Sequence, residues 1–160
     1  MASNEASCLL TAHRLLKWNA HVVGVVSYDD PQTLNSYCHA LAQSLHQTSS
    51  DLISTLVSSQ PIETKPPHSA PYFTHQSLSF ETRGALNVIA QLAEQTRLTN
   101  AFLFIDLFQL ITLGNHLATS KRCDKIIMLI PKRKFNEFSL KKKIQDFEDK
   151  EKIELVLVGD

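Results

Sequence analysis

The chain is poor in cysteine, and the spacing of its cysteines argues against two common classes of small protein. Cys8, Cys38 and Cys123 are odd in number, far apart and without CxxC spacing. A disulfide framework needs paired cysteines, and a structural zinc site needs closely spaced ligands. We therefore expect neither, and the simplest interpretation of three free thiols is a reducing, cytoplasmic location.

The chain also lacks an excess of charge and a long apolar run. Its 16 Lys and Arg residues balance 16 Asp and Glu residues, so there is no overall field to attract nucleic acid or an anionic membrane, although a local basic patch remains open. The run "AFLFI" is far shorter than the roughly 20 residues of a membrane-spanning helix. The first 18 residues contain no apolar run typical of a signal peptide.

What the sequence does contain is an alternation of apolar strand patterns with helical patterns. Strands are predicted at 21–27, 51–57, 100–106, 125–130 and 153–158, and helices at 5–18, 31–46, 80–97, 110–120 and 135–150. Continuous β-branched runs such as "HVVGVVS" are typical of strands covered on both faces. The sequence therefore predicts an α/β fold, a three-layer sandwich with a mostly parallel sheet and helices on both faces.

The 160 residues are enough for one domain, 1–160, with a substantial core. Residues 58–78 contain four of the six prolines. We interpret this segment as a surface loop within the domain, because it is too close to the middle of one small core to separate two.

The stretch "HVVGVVSYDDPQTLNSY" (21–37) has the strand, turn and helix layout of a phosphate-binding loop, but its turn has no glycine and no lysine. Ligands of open α/β sheets bind beyond the carboxyl ends of the strands. Those ends are predicted at Ser27–Ser36, Asp106–Leu110 and Pro131–Phe135. Asp106 ends an apolar strand, as does the acid that helps to hold magnesium in P-loop NTPases. A simple cap on the following turn is an equally good interpretation of Asp106.

Three segments together resemble a known family. "EASCLLTAHRLLKWNAHVVGVVSYDDPQTLNSYCHALAQSL", "FLFIDLFQLITLGNHLATSKRCDKIIMLI" and "KIELVLVGD" follow the segment order of bacterial polysaccharide tyrosine autokinases, relatives of the MinD-like P-loop ATPases. The resemblance places Ser27 on the serine that opens the family's T-S-x-x-P-G-E-G-K-S-T loop. It places Asp106 on the distal Walker aspartate and Asp124 on the acid before the next strand.

The chain departs from this family where nucleotide chemistry is concentrated. The resemblance places Pro31 and Thr33 on the family's glycines, Leu34 on its lysine, and Asn35 and Ser36 on its Ser-Thr pair. Glycines let backbone N–H groups converge on phosphates, and the lysine supplies charge. Asp29 and Asp30 would repel phosphates. The strand at 51–57 ends without the family's D-x-D acids. We also expect no tyrosine-rich tail as a phosphorylation substrate, because the tyrosines of the sequence are Tyr28, Tyr37 and Tyr72.

The resemblance and these departures together predict a pseudoenzyme that binds no cofactor and no metal. The expected role is a partner or regulatory subunit of a bacterial exopolysaccharide synthesis or secretion system. Its expected partners are proteins, either a membrane-bound synthase and export complex or an active P-loop homologue. A homo-oligomer is also possible. We expect a cytoplasmic protein that can lie peripherally at the inner membrane through a partner. The predicted interface is the degenerate loop: Ser27, Tyr28, Asp29, Asp30, Pro31, Gln32, Thr33, Leu34, Asn35 and Ser36, with the surface from Asp106 to Gln109.

Two other classes stay open. One is a weak, atypical NTPase or kinase. The other is an unrelated flavodoxin-like or receiver-like module, in which Asp29, Asp30 and Asp106 would form an acidic cluster with Lys132 nearby. Strand order distinguishes them, since a P-loop relative should place the 22–27 and 101–106 strands side by side or one apart, flanked by the 125–130 strand.

The segment "KRKFNEFSLKKK" (132–143) is the one dense basic stretch. Its basic residues are Lys132, Arg133, Lys134, Lys141, Lys142 and Lys143. Such a patch can bind phosphates of nucleic acid or lipid headgroups, or dock on a partner at a membrane. The simpler interpretation is a solvated helix face, because four acids follow within residues 146–151, and we predict no nucleic-acid partner.

Hydrolase and metal chemistry have little support in the sequence. No G-x-S-x-G elbow is present. His39 and His46 are seven residues apart, which is not the i, i+4 spacing of a helical zinc pair.

Overall fold

The computed structural model describes residues 2–28, 31–59, 71–134 and 136–159, and its centre is a six-stranded sheet in which every strand pair is parallel. The strands are β1 (Val22–Ser27), β2 (Ser54–Ser58), β3 (Phe73–Ser77), β4 (Phe102–Asp106), β5 (Lys125–Pro131) and β6 (Ile153–Val158). Their spatial order is β3-β2-β4-β1-β5-β6.

Helices cover both faces of this sheet, which confirms the three-layer α/β sandwich. The helices are α1 (Ala2–Trp18), α2 (Pro31–Thr48), α3 (Ala85–Leu98), α4 (Leu107–Thr112), α5 (His116–Ser120) and α6 (Glu137–Ile144). On the first face, α1 and α2 enclose one apolar cluster with the sheet. On the second face, α3, α4 and the residues from α6 to Phe147 enclose another.

The central strand β1 explains why the sequence pattern was so clear. All six of its residues are buried, because the strand is paired on both sides and covered on both faces. Val23 and Val25 belong to the first apolar cluster, whereas Val22 and Val26 belong to the second. A strand in this position needs apolar side chains in both directions, which produces a continuous rather than an alternating run.

Asparagine ends two of the helices that lead into central strands. Asn19 follows α1 with φ 54°, and Asn100 follows α3 with φ 57°. Asparagine tolerates this left-handed conformation better than most residues with a side chain, and it is common just after a helix. The two residues therefore turn the chain into β1 and β4.

Several predicted boundaries were wrong. The predicted loop at 58–78 contains β3, of which four of five residues are polar in "FTHQS". An edge strand with so few apolar residues gives little periodic signal. Residues 60–70 of the predicted loop lie outside the described residues. The helix predicted at 110–120 is two short helices separated at Gly114, whose φ is 75°. The helix predicted at 135–150 is shorter and ends at Ile144.

The strand order is informative about fold type. β1 lies between β4 and β5, which is the arrangement expected of a P-loop relative. In a flavodoxin-like or receiver-like sheet, of order 2-1-3-4-5, the first strand lies beside the second. Within the described residues no helix is both long enough and apolar enough to cross a membrane.

Candidate functional site

The turn after β1 is too short to contain the phosphate-binding loop that the resemblance implies. β1 ends at the buried Ser27, and α2 already begins at Pro31. Asp29 and Asp30 lie outside the described residues. Positions 31–33, where the P-loop resemblance places the phosphate cradle, instead form the first turn of a helix. Such a cradle depends on a loop whose successive N–H groups converge on the phosphates.

Leu34 is the residue that the resemblance places on the catalytic lysine. Its side chain is 1% exposed and belongs to the apolar cluster of the first face, together with Val25 and Leu129. It is therefore a core residue of α2. The exposed positions of this turn of the helix are Gln32 and Ser36, while Thr33 and Asn35 are half-buried.

Asp106, at the carboxyl end of β4, is the acid of this site. It is 3% exposed, and its Oδ1 accepts hydrogen bonds from the backbone N–H groups of Phe108 at 3.1 Å and Gln109 at 3.4 Å. It is the N-cap of α4, a common use of aspartate. The structure thus confirms that Asp106 caps the following turn.

The surroundings of Asp106 also shape its protonation. Burial raises the pKa of its carboxyl to about 6, although the two N–H donors act in the opposite direction. Burial likewise raises the pKa of the Cys38 thiol on α2, and the charge of Asp106 adds to that effect. The charge interaction with the Cys38 thiol indicates that the carboxyl of Asp106 lies close to α2.

The end of β2 carries hydroxyls in place of acids. Ser59 donates to Oε1 of Gln109 from both its backbone N–H, at 2.6 Å, and its hydroxyl, at 2.8 Å. Ser58 is buried, and its Oγ lies 2.6 Å from Nε2 of His75 on β3. Burial lowers the pKa of His75, so this imidazole is neutral at pH 7. These contacts join the end of β2 to the middle of β3 and to α4.

Tyr28 closes the other side of the turn. Its hydroxyl donates to Oδ2 of Asp146 at 2.7 Å, and its ring meets Phe108 edge-on with centroids 5.4 Å apart. Nζ of Lys143 lies 4.7 Å from the centre of the same ring, a cation–π distance. Burial raises the pKa of Tyr28, and Asp146 raises it further, so the phenol remains a donor.

A cleft of about 130 Å³ lies beside Tyr28 at the carboxyl ends of β1 and β5. Its lining residues are Tyr28, Ile130, Pro131, Asn136, Ser139, Leu140 and Lys143. Pockets for small organic ligands typically measure about 300–1,000 Å³. The cleft is therefore much smaller than a nucleotide site.

Sequence reasoning missed the Tyr28 cluster. Asp146 was interpreted as a surface acid that neutralises a basic helix face, yet it bonds to a residue 118 positions earlier in the chain. Nothing in the spacing of the two residues indicates this contact. By contrast, the stretch from Asp106 to Gln109 was predicted as part of the site, and the structure does place it next to the end of β2.

The predicted basic patch divides into two parts. Lys132, Arg133, Lys141 and Lys142 are exposed. Lys143 is half-buried and lies over Tyr28, so it belongs to the turn. Lys134 ends the short 3-10 turn after β5, but its side chain is outside the described part, as is Phe135.

The histidines of α2 pack against aromatic rings. His46 stacks on Tyr72 with centroids 4.6 Å apart, and His39 meets Phe73 edge-on at 5.3 Å. Among the described residues, no three His, Cys, Asp or Glu side chains are grouped so as to hold a metal ion.

Comparison with known proteins identifies no similar protein at a significant level. No protein-family model matches the chain, and neither a curated protein nor a solved structure matches it significantly.

Proposed function

We propose that the protein is a non-catalytic, P-loop-like domain that works by binding other proteins. The observation that carries this proposal is the start of α2 at Pro31, with Leu34 in the core. A triphosphate needs converging N–H groups and a cation. Here the residues at the positions of the N–H cradle belong to a helix, and the residue at the position of the lysine is Leu34, which is buried in the core.

The contacts around the turn support the same proposal. Asp106 caps α4, Gln109 binds Ser59, and Tyr28 binds Asp146. These three polar side chains beside the turn are thus engaged within the fold. Gln32 and Ser36 remain exposed on the first turns of α2, and they are the positions at which we place a partner.

The cellular setting of the proposal rests on the resemblance to polysaccharide tyrosine autokinases alone. In that setting the protein is a partner or regulatory subunit of a bacterial exopolysaccharide synthesis or secretion system. Its partner is a membrane-bound synthase and export complex or an active P-loop homologue. Fold and function are separable, so this placement needs its own experiment.

The nucleotide part of the proposal is tested by titration calorimetry of the purified protein with Mg-ATP. We expect no binding in the micromolar range, and a micromolar dissociation constant would refute the proposal. The double change Leu34→Lys with Thr33→Gly should not create a site, because it places a charge among core residues and removes a side chain from a helix. We expect that variant to lose stability rather than gain ATP binding.

The partner part is tested by cross-linking in the native cell followed by purification of the tagged chain. We expect synthase or export components among the cross-linked proteins, and their loss when Gln32→Arg and Ser36→Arg are combined. Gln91→Arg with Gln95→Arg is the matched control, since both glutamines are exposed on α3, across the sheet from α2. Equal recovery from all three proteins would contradict a partner at the α2 turn.

A further inference from the structure

The basic segment combines exposed basic residues with one exposed aromatic residue, and Nζ of Lys142 lies over the ring of that residue. Lys132 and Arg133 are exposed in the turn after β5, and Phe138, Lys141 and Lys142 are exposed on α6. We call these five residues the basic-aromatic surface. We propose that this surface binds directly to an anionic lipid bilayer, which goes beyond the protein contacts proposed for the turn.

Phe138 is the first argument. Its side chain is 73% exposed on the first turn of α6, although phenylalanine is among the residues most often buried. Nζ of Lys142 lies 5.7 Å from the centre of its ring. On the inner side of α6, Leu140 and Ile144 pack against the second apolar cluster. The helix is thus held to the protein by one face and presents Phe138 with lysines on another.

The charge balance is the second argument. The acids at 146–151 do not balance the basic residues around them, because residues 132–152 contain eight Lys and Arg residues and five Asp and Glu residues. Asp146 accepts the hydrogen bond of Tyr28, and Asp149 pairs with Lys152 at 3.4 Å. Glu137 lies 3.7 Å from Lys141, and Glu148 and Glu151 are exposed. Positive charge therefore predominates locally, on a chain whose net charge is zero.

The combination favours a bilayer over a protein. A protein interface of standard size buries about 800 Å² on each partner and has an apolar centre, whereas this surface has a single exposed aromatic side chain. Stable membrane association usually needs two signals, and a basic cluster with an inserted apolar group supplies both. Phosphatidylglycerol headgroups would meet the lysines while Phe138 enters the acyl boundary.

The test is co-sedimentation of the full chain with vesicles of phosphatidylglycerol and phosphatidylcholine. We expect binding that increases with the phosphatidylglycerol fraction and falls with added salt, since exposed charges are screened. Equal binding to pure phosphatidylcholine vesicles would overturn the proposal. So would absence of binding, or retention on polyglutamate or DNA without retention on the vesicles.

Matched variants sharpen the test. Each basic residue near an anionic surface contributes about fivefold to affinity, so Lys141→Gln with Lys142→Gln should weaken binding by about 25-fold. The control is Lys17→Gln with Lys121→Gln, which removes the same charge from exposed positions near the amino ends of β1 and β5 and should leave binding unchanged. An equal loss in both proteins would show that net charge alone is responsible.

A second pair isolates the aromatic side chain. Phe138→Ala should weaken vesicle binding by roughly tenfold, because it removes the group that becomes buried in the bilayer. Leu98→Ala is the control, since Leu98 is 86% exposed at the end of α3. Unchanged binding of Phe138→Ala would contradict insertion. The outcome is independent of ATP binding and of cross-linking at the α2 turn, so this proposal and the proposed function can fail separately.

Discussion

Two aspartates lie at the ends of the strands that flank β1. Asp106 ends β4 at the carboxyl edge of the sheet, and Asp124 precedes β5 at the amino edge. Asp106 is 3% exposed and accepts two N–H groups of the helix that follows it. Asp124 is partly exposed, accepts the N–H groups of His21 and Val22 at 3.0 Å each, and pairs with Arg97 at 3.1 Å.

The difference between the two carboxylates lies in their neighbours. Asp124 joins distant parts of the chain, because its carboxylate accepts backbone N–H groups at the start of β1 and pairs with Arg97 of α3. Asp106 satisfies a local helix terminus and has a raised pKa because it is buried. An acid at the end of an apolar strand is therefore not evidence of catalysis until its partners are known, and the two residues offer a direct way to measure this.

The largest effect should follow loss of Asp124. Asp124→Ala leaves two N–H groups at the start of β1 without their acceptor, and we expect a loss of about 3 kcal/mol in the free energy of unfolding. Chemical denaturation at pH 7 measures it. Asp124→Asn keeps one oxygen acceptor and should lose less.

Arg97→Gln is the control for the ion pair at the same site. Its side chain is 41% exposed and that of Asp124 is 32% exposed, so the pair is screened and should contribute less than about 1 kcal/mol. If Arg97→Gln were as destabilising as Asp124→Ala, the stabilisation would come from the contacts of Arg97, which include a hydrogen bond to the carbonyl of Arg122 at 2.6 Å, rather than from the backbone donors.

Gly24, in the middle of β1, packs against the neighbours in sequence of both aspartates. A Cβ at this position would overlap the side chain of Leu107, the residue after Asp106, and would lie 3.3 Å from Sγ of Cys123, the residue before Asp124. We expect Gly24→Ala to destabilise the protein by about 2 kcal/mol through overpacking. In a double-mutant cycle with Leu107→Ala the two losses should be less than additive. Full additivity would mean that the strand tolerates the methyl group without displacing Leu107.

Asp106→Asn, unlike the preceding substitutions, should increase the free energy of unfolding at neutral pH. Burial raises the folded pKa to about 6 from the ordinary value of 3.8, so the unfolded carboxyl ionises more readily than the folded one. The contribution of Asp106 to stability is therefore fully present below about pH 4 and is lost as the pH rises through 6. Asparagine keeps the capping oxygen and avoids this loss. We expect the free energy of unfolding of the variant, relative to that of the wild type, to increase by about 2 kcal/mol from pH 4.5 to pH 8.

The measurement is denaturation of both proteins at the two pH values. A gain that does not change with pH would contradict the raised pKa. A loss at pH 8 would mean that the charged carboxylate is favoured in the fold, as expected of an acid that faces a cation.

Most of the sheet could be predicted from the sequence because its central strands are buried on both faces. The runs at 22–27, 102–106 and 125–131 each place nearly every residue in the interior, and this requires a largely apolar sequence. β3 could not be predicted, since its polar residues "THQS" are stabilised by pairing with β2 at the edge of the sheet rather than by burial of an apolar pattern.

The candidate site was harder to predict for a related reason. The position of Asp106 at a strand end was visible in the sequence, but whether it caps a helix or binds a metal depends on the burial and partners of its carboxyl. The start of α2 at Pro31 agrees with the preference of proline for the first helical turn. The role of Asp146 depends on a contact across 118 positions, which local patterns do not record.

The smallest effect should come from Tyr28, at the carboxyl edge. Tyr28→Phe removes the hydrogen bond to Asp146 but keeps the ring between Phe108 and Lys143. We expect a loss of about 1 kcal/mol in the free energy of unfolding, measured by chemical denaturation at pH 7. Asp146→Asn keeps an acceptor for the phenol and should cost less. A loss as large as that of Asp124→Ala would contradict the contrast between the edges, because a single hydrogen bond beside the cleft would then stabilise the fold as much as the acceptor of two backbone N–H groups in the strand β1.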